Sequence, residues 1–129
     1  MSAVPRSDGP AILVADDDPG ICKLIKDCLK GRGMATLEAA DGVTACELAE
    51  ASTPALILLD IFLPQRDGYA VLLHLAQTEA TRQIPVILMS GEPENERIAE
   101  MLGARGFLEK PFTPADLVSA VEAVLHAEG

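Results

Sequence analysis

Three unbroken apolar runs constrain this chain more than any other feature. They are AILVA (11–15), ALILL leading into Asp60 (55–60) and IPVILM leading into Ser90 (84–90). A strand with one wet face alternates apolar and polar residues, so a run without a polar break reads as a strand covered on both faces. Two weaker runs, MATLEA (34–39) and GFLEK (106–110), bring the expected strands to five. Segments of helical spacing lie between them.

The helix signals are local and physical. Asp18 is placed to cap a first helix with Pro19 as its first residue. That helix lines up Cys22, Ile25, Cys28 and Leu29 on one stripe, sets Lys23, Lys26 and Lys30 mostly opposite, and closes at GRG (31–33). Asp41 caps a second helix running to about Ala51, with Val43, Cys46, Leu48 and Ala49 as its apolar stripe. The loop LPQRDG (63–68) precedes a third, with Val71, Leu72 and Leu75 inward. A fourth covers about 94–102 and stops at Gly103. Thr113, Pro114 and Asp116 open a fifth as a near capping box, with Leu117, Val121, Val124 and Leu125 facing in. Strands alternating with helices give βαβ units, hence an α/β fold with a parallel sheet and helices on both faces. The 129 residues suit one domain, 11–129, after a flexible N-terminal tail at 1–10.

Charge and cysteine usage narrow the classes. A net charge of −10 argues against a nucleic-acid partner, which needs a basic face, and against an anionic membrane surface. Cys22, Cys28 and Cys46 form no CxxC pair and read as reduced thiols of a cytoplasmic protein. The opening MSAVPRSDGP lacks the apolar stretch of a secretion signal, and no run approaches the ~20 residues that span a bilayer. His74 and His126 read as surface or partly buried structural residues.

Ligands of an open α/β sheet sit beyond the C-terminal ends of its strands. Here those ends carry Asp16 and Asp17, then Asp60, then Ser90, then Lys110. Each has a plain reading alone: a helix cap, a loop serine, a surface lysine. Together they put three carboxylates, a hydroxyl and an amine at one edge. Clustered carboxylates raise one another's pKa unless a cation offsets them, and oxygen ligands without His or Cys suit a hard ion such as Mg2+. Lys110 and Ser90 suit phosphoryl oxygens, which makes Asp60 a candidate nucleophile able to form an aspartyl-phosphate.

The motifs ILVADDDP, LILLDIFLPQRDGY, PVILMSG and GARGFLEKPF, in this order, resemble the receiver domain of bacterial two-component response regulators over about Ala11 to Leu125. The resemblance implies a flavodoxin-like, doubly wound five-stranded sheet of order 2-1-3-4-5 with five helices. It implies that Asp60 accepts a phosphoryl group from a sensor histidine kinase or a histidine phosphotransfer protein. Asp16, Asp17, Asp60 and the main-chain carbonyl of Phe62 would hold Mg2+. Ser90 and Lys110 would contact the phosphoryl oxygens, with the Lys110–Pro111 peptide cis. Ser90 and Phe107 would form a switch that alters the surface of the fourth helix, last strand and fifth helix for a downstream protein target.

Where the family often has Tyr, this chain has Phe107, so coupling there rests on packing. Gln65 and Arg66 replace a frequent Gly and an apolar residue beside the site, and Gly91 a frequent Ala. Phe62 flanks the route of an attacking water and is expected to slow loss of the phosphoryl group. Ile21, Leu24 and Asp27 on the first helix are candidates for kinase choice. The ending HAEG favours a stand-alone, single-domain regulator with no small-molecule turnover. A haloacid-dehalogenase-type phosphatase would carry an acid where Phe62 stands, and an inert module would not need the complete acid, Ser90 and Lys110 set.

Overall fold

The structure, a computed structural model, describes residues 11–128; the expected tail at 1–10 lies outside the described residues. Five strands, β1 (Ile12–Ala15), β2 (Thr36–Ala39), β3 (Leu56–Asp60), β4 (Val86–Ser90) and β5 (Gly106–Glu109), form one sheet in the order β2-β1-β3-β4-β5. All its pairings are parallel. Five helices alternate with them: α1 (Pro19–Lys30), α2 (Gly42–Ser52), α3 (Gly68–Gln77), α4 (Asn95–Met101) and α5 (Pro114–Glu128).

The apolar runs do what their lack of alternation demands. Within each central strand, successive residues feed opposite cores. Leu13, Ile57, Leu59 and Leu88 join α2 and α3 residues such as Ala45, Ala49, Val71 and Leu75. Ile12, Val14, Leu56, Leu58, Ile87 and Met89 join Ile25 and Leu29 of α1 and Leu117 and Val121 of α5. Each buried Leu or Ile contributes ~1.5–3 kcal/mol of apolar transfer, so these two layers fix where the strand ends lie.

The caps expected at Asp18, Asp41 and Thr113 are present, and Asp67 adds one at the start of α3. Asp18 accepts from the Gly20 N–H at 2.8 Å, Asp41 from the Thr44 N–H at 2.7 Å, and Asp67 from the Ala70 N–H at 2.9 Å. Thr113 and Asp116 exchange bonds of 3.0 Å in both directions, a reciprocal box at the start of α5. Two expectations shift. β2 begins at Thr36 rather than at Met34. On α2 the buried residues are Gly42, Ala45, Cys46 and Ala49, while Val43 and Leu48 are half-buried. The smallest side chains take the tightest contacts because α2 lies close to β1, β2 and α3 at once.

Candidate functional site

Asp16 follows β1 directly and is buried, with Oδ1 accepting from the Asp18 N–H at 2.9 Å. Its other oxygen, Oδ2, accepts from Lys110 Nζ at 2.7 Å. The same ammonium lies 3.3 Å from Asp60 Oδ1. Asp60 is the last residue of β3 and only 5% exposed. Asp17 is exposed at the mouth, and one oxygen from each of Asp16, Asp17 and Asp60 lies within 4.8 Å of the others. Strand ends separated by up to 94 residues in sequence thus meet at one point.

Burial, then the charge of Asp16, pushes the Asp60 carboxyl above the usual carboxylate range; Lys110 and the Phe62 main-chain N–H pull the other way without winning. For Lys110, burial works against the charge. The hydrogen bond and charge of Asp16, then those of Asp60, outweigh it and hold the amine above an ordinary lysine. Three carboxylates facing one ammonium leave the cluster short of positive charge. A hard divalent cation fits that deficit and this all-oxygen donor set.

Around this centre the backbone is tightly drawn. A Cβ on Gly68 would meet the Asp60 carbonyl oxygen and lie 2.7 Å from the Ile61 Cα, so only glycine lets α3 start this close to β3. The loop between them is tied to α2: the Gly42 N–H donates to the Pro64 carbonyl at 3.1 Å, and Arg66 Nη1 donates to Cys46 Sγ at 3.2 Å. Gln65 sits at φ 69, in the left-handed region that favours glycine. Phe62, two residues past Asp60, leaves its ring 67% exposed.

Ser90 ends β4, is 1% exposed, and is joined to β5 through its carbonyl, which accepts from the Lys110 N–H at 2.7 Å. Its hydroxyl accepts from the Glu92 N–H at 3.0 Å and from Asn95 Nδ2 at 2.9 Å. The Lys110–Pro111 peptide is cis. Phe107 is half-buried on β5, opposite Leu88, and packs against the α2–α3 core together with Tyr69. At Gly91 a Cβ would find only the Lys110 carbonyl, 3.9 Å away, so no steric need selects glycine. His74 meets Glu50 at 2.9 Å and His126 is exposed, both away from this centre.

Residues 12–122 match the model of the response regulator receiver domain. The chain belongs to that family. Receiver domains are signalling modules rather than enzymes that turn over a small molecule, and they interact with histidine kinases or phosphotransfer proteins. Phosphorylation and Mg2+ binding at an acidic pocket are typical of them.

This receiver domain is 30% identical to the receiver domain of the Francisella response regulator 1452, with a TM-score of 0.85, covering 94% of this chain and 100% of that one. It is 26% identical to the Vibrio cholerae chemotaxis protein CheY4, with a TM-score of 0.83, covering 90% and 99%. The sheet order and these neighbours make the fold flavodoxin-like.

Among curated relatives, the DNA-binding dual master transcriptional regulator RpaA of Synechocystis is 36% identical over 119 residues, 91% of this chain and 49% of that protein. The chain therefore spans about half the length of the curated relatives it matches. These relatives lend no support to the expectations of a stand-alone regulator or of no nucleic-acid partner. Among the described residues no helix is long and apolar enough to cross a membrane.

The sequence signals pass over Asn95 and Tyr69, and they mark Arg66 only as a departure beside the site, not its bond to Cys46. Asn95 and Arg66 bond to residues five and twenty positions away across loops, which no periodic pattern encodes. Tyr69 has a buried hydroxyl with no hydrogen-bond partner among the described residues.

Proposed function

We propose that this receiver domain is a Mg2+-dependent phosphoacceptor whose reacting residue is Asp60. The carrying observation is the shared ammonium: Lys110 Nζ stands 2.7 Å from Asp16 and 3.3 Å from Asp60, with Asp17 completing the acid cluster. Asp16, Asp17, Asp60 and the Phe62 carbonyl are the residues that would hold the ion. Bound there, Mg2+ supplies positive charge to phosphoryl oxygens.

An Asp60 carboxylate oxygen forms a bond to phosphorus as the donor's P–N bond breaks, and that electron pair returns to the imidazole nitrogen. Burial suits Asp60 to this task, because a partly desolvated carboxylate is not muffled by a full water shell. Lys110, already drawn in by Asp16, is placed to pair with a phosphoryl oxygen, and Ser90 to donate its hydroxyl to another.

The donor in this reading is a phosphohistidine of a sensor kinase or phosphotransfer protein, met at Ile21, Leu24 and Asp27 on α1. Leu24 and Ile21 are half-buried, and Asp27 is exposed and paired with Lys23 at 2.8 Å. The output is a protein contact at α4, β5 and α5, altered as Ser90 and Phe107 move. Ile98 and Met101 leave apolar surface on α4 that suits such a contact.

Incubation with acetyl phosphate and Mg2+, followed by intact mass, tests the reading. The expected result is a gain of one phosphoryl group that disappears in Asp60→Asn and on chelation of the metal. A mass gain retained by Asp60→Asn, or none in the unaltered chain, overturns it.

A further inference from the structure

The Ser90 hydroxyl is held from the side of α4. It accepts from the Glu92 N–H at 3.0 Å and from Asn95 Nδ2 at 2.9 Å, which fills both lone pairs. Its own proton reaches only the Glu92 carbonyl, at a long 3.4 Å. The orientation of the Asn95 amide is set by chemistry. The same nitrogen lies 3.3 Å from Glu92 Oε1, and an ionised carboxylate only accepts.

This bond has no counterpart at the other helix starts. α1, α2, α3 and α5 are each capped by an Asp or Thr just before or within the first turn. α4 has seven residues, and its N-cap Glu94 makes no side-chain cap bond. Only Ala99 of this helix is fully buried, so packing holds it weakly. Beside the turn bonds from the Asn95 and Glu96 N–H groups to the Glu92 and Pro93 carbonyls, at 3.0 and 3.1 Å, the link from Asn95 to the end of β4 is the side-chain bond that ties the start of α4 to the sheet.

Turning Ser90 toward a phosphoryl oxygen at Asp60 moves Oγ to another rotamer well and breaks both accepted bonds. We propose that Asn95 is a positioning residue: its amide ties the Ser90 hydroxyl to α4, and phosphoryl capture frees α4 by drawing that hydroxyl away. This rests on the reading of Asp60 as phosphoacceptor and Ser90 as phosphoryl contact. Asn95 itself touches no reacting atom. Linkage makes the effect reciprocal: the tie weakens phosphoryl binding by the same factor that phosphoryl binding loosens α4.

Beryllofluoride with Mg2+, a stable stand-in for the phosphoryl group, gives the test on the full chain. Its affinity is measured by calorimetric titration, and amide hydrogen exchange of α4 is followed with and without it. Asn95→Ala is expected to tighten beryllofluoride binding about three- to tenfold, the span of one neutral hydrogen bond. It is also expected to speed α4 exchange in the free protein. Asn95→Leu, a near-isosteric helix former, is expected to do the same, which separates loss of the donor from loss of volume. In a Ser90→Ala background the Asn95→Ala increment is expected to vanish.

An affinity that Asn95→Ala leaves unchanged or weakens, or an equal increment in both backgrounds, overturns the tie while leaving Asp60 as phosphoacceptor. If the unaltered chain does not bind beryllofluoride at all, the phosphoacceptor reading falls and the tie falls with it.

Discussion

Gly68 and Phe62 both lie close to Asp60, the proposed phosphoacceptor, and bear on it in different ways. Gly68 permits the site: its missing Cβ is where the Asp60 carbonyl and the Ile61 Cα lie. Both obstacles are backbone, so no rotamer change relieves the clash. Gly68→Ala is expected to cost more than ~2 kcal/mol of stability, read as a lower urea midpoint at unchanged m. Phe62 is expected instead to tune the lifetime of the phosphoryl group. Its ring is 67% exposed beside the approach to Asp60, where it offers an attacking water no polar partner. Phe62→Asn supplies an amide there, and the phosphoryl group is expected to be lost about tenfold faster, the equivalent of ~1.4 kcal/mol in the barrier. Intact mass followed over time measures it, and an unchanged decay rate counts against the role. At this scale the sequence is legible where a residue ends a strand. Asp16, Asp60, Ser90 and Lys110 are set by the apolar runs that precede them. The contacts of Asn95 and Arg66 were not legible, because their partners Ser90 and Cys46 are brought near only by the folded path of two loops.

Helix ends show the same contrast among elements. Asp18, Asp41, Asp67 and Thr113 cap their helices through bonds of 2.7–3.0 Å; Asp18, Asp41 and Thr113 were readable because capping is a chemistry of one residue and the next three, whereas Asp67 stood in a segment read as loop. The end of α2 is different. Thr53 closes it in the left-handed region at φ 40 and ψ 66, its N–H donating to the Ala49 carbonyl at 3.0 Å. A β-branched residue is strained there, and Thr53 is exposed, so it loses no packing when replaced. Thr53→Gly removes the strain, about 1–2 kcal/mol, against about 0.4–1 kcal/mol of added unfolded-chain freedom. A net gain of about 0.5–1 kcal/mol is expected in urea unfolding. The apolar pattern placed this end at about Ala51, one residue short of Ser52, but the left-handed turn itself carries no signal in the sequence, since Thr is a poor left-handed residue. The buried face of α2 was misaligned for a related reason. Apolar periodicity rightly marks Cys46 and Ala49 and also favours Val43 and Leu48, but the close approach to β1, β2 and α3 buries Gly42 and Ala45 more fully than either of those two.

Across the whole molecule, the central strands β1, β3 and β4 are buried on both faces, so they offer charge no wet place except at their ends. The unbroken apolar runs foretold that burial. They could not foretell which strands are neighbours, because a buried strand carries no mark of its partners; the order 2-1-3-4-5 came only with the family resemblance. That order sets β3 between β1 and β4, which is why Asp60 meets Asp16 and Lys110 rather than facing solvent alone. The chain also carries a net charge of −10, so part of its acid repulsion is spread over the surface and part is concentrated in this cluster. The two parts respond differently to cations. Monovalent salt screens the spread part gradually, with a Debye length of ~10 Å at 0.1 M. Mg2+ at the cluster acts by mass action and saturates. At a tenfold excess over its Kd it is expected to stabilise the fold by about 1.4 kcal/mol. Thermal melts with Mg2+ at constant ionic strength are therefore expected to show a saturable rise in Tm. Asp17→Asn removes one oxygen ligand at the exposed mouth and leaves the buried Lys110–Asp16 pair intact, so it is expected to shift that rise to higher Mg2+. Equal responses to Mg2+ and to matched monovalent salt, with no difference in Asp17→Asn, would mean that the carboxylates form no common ion site.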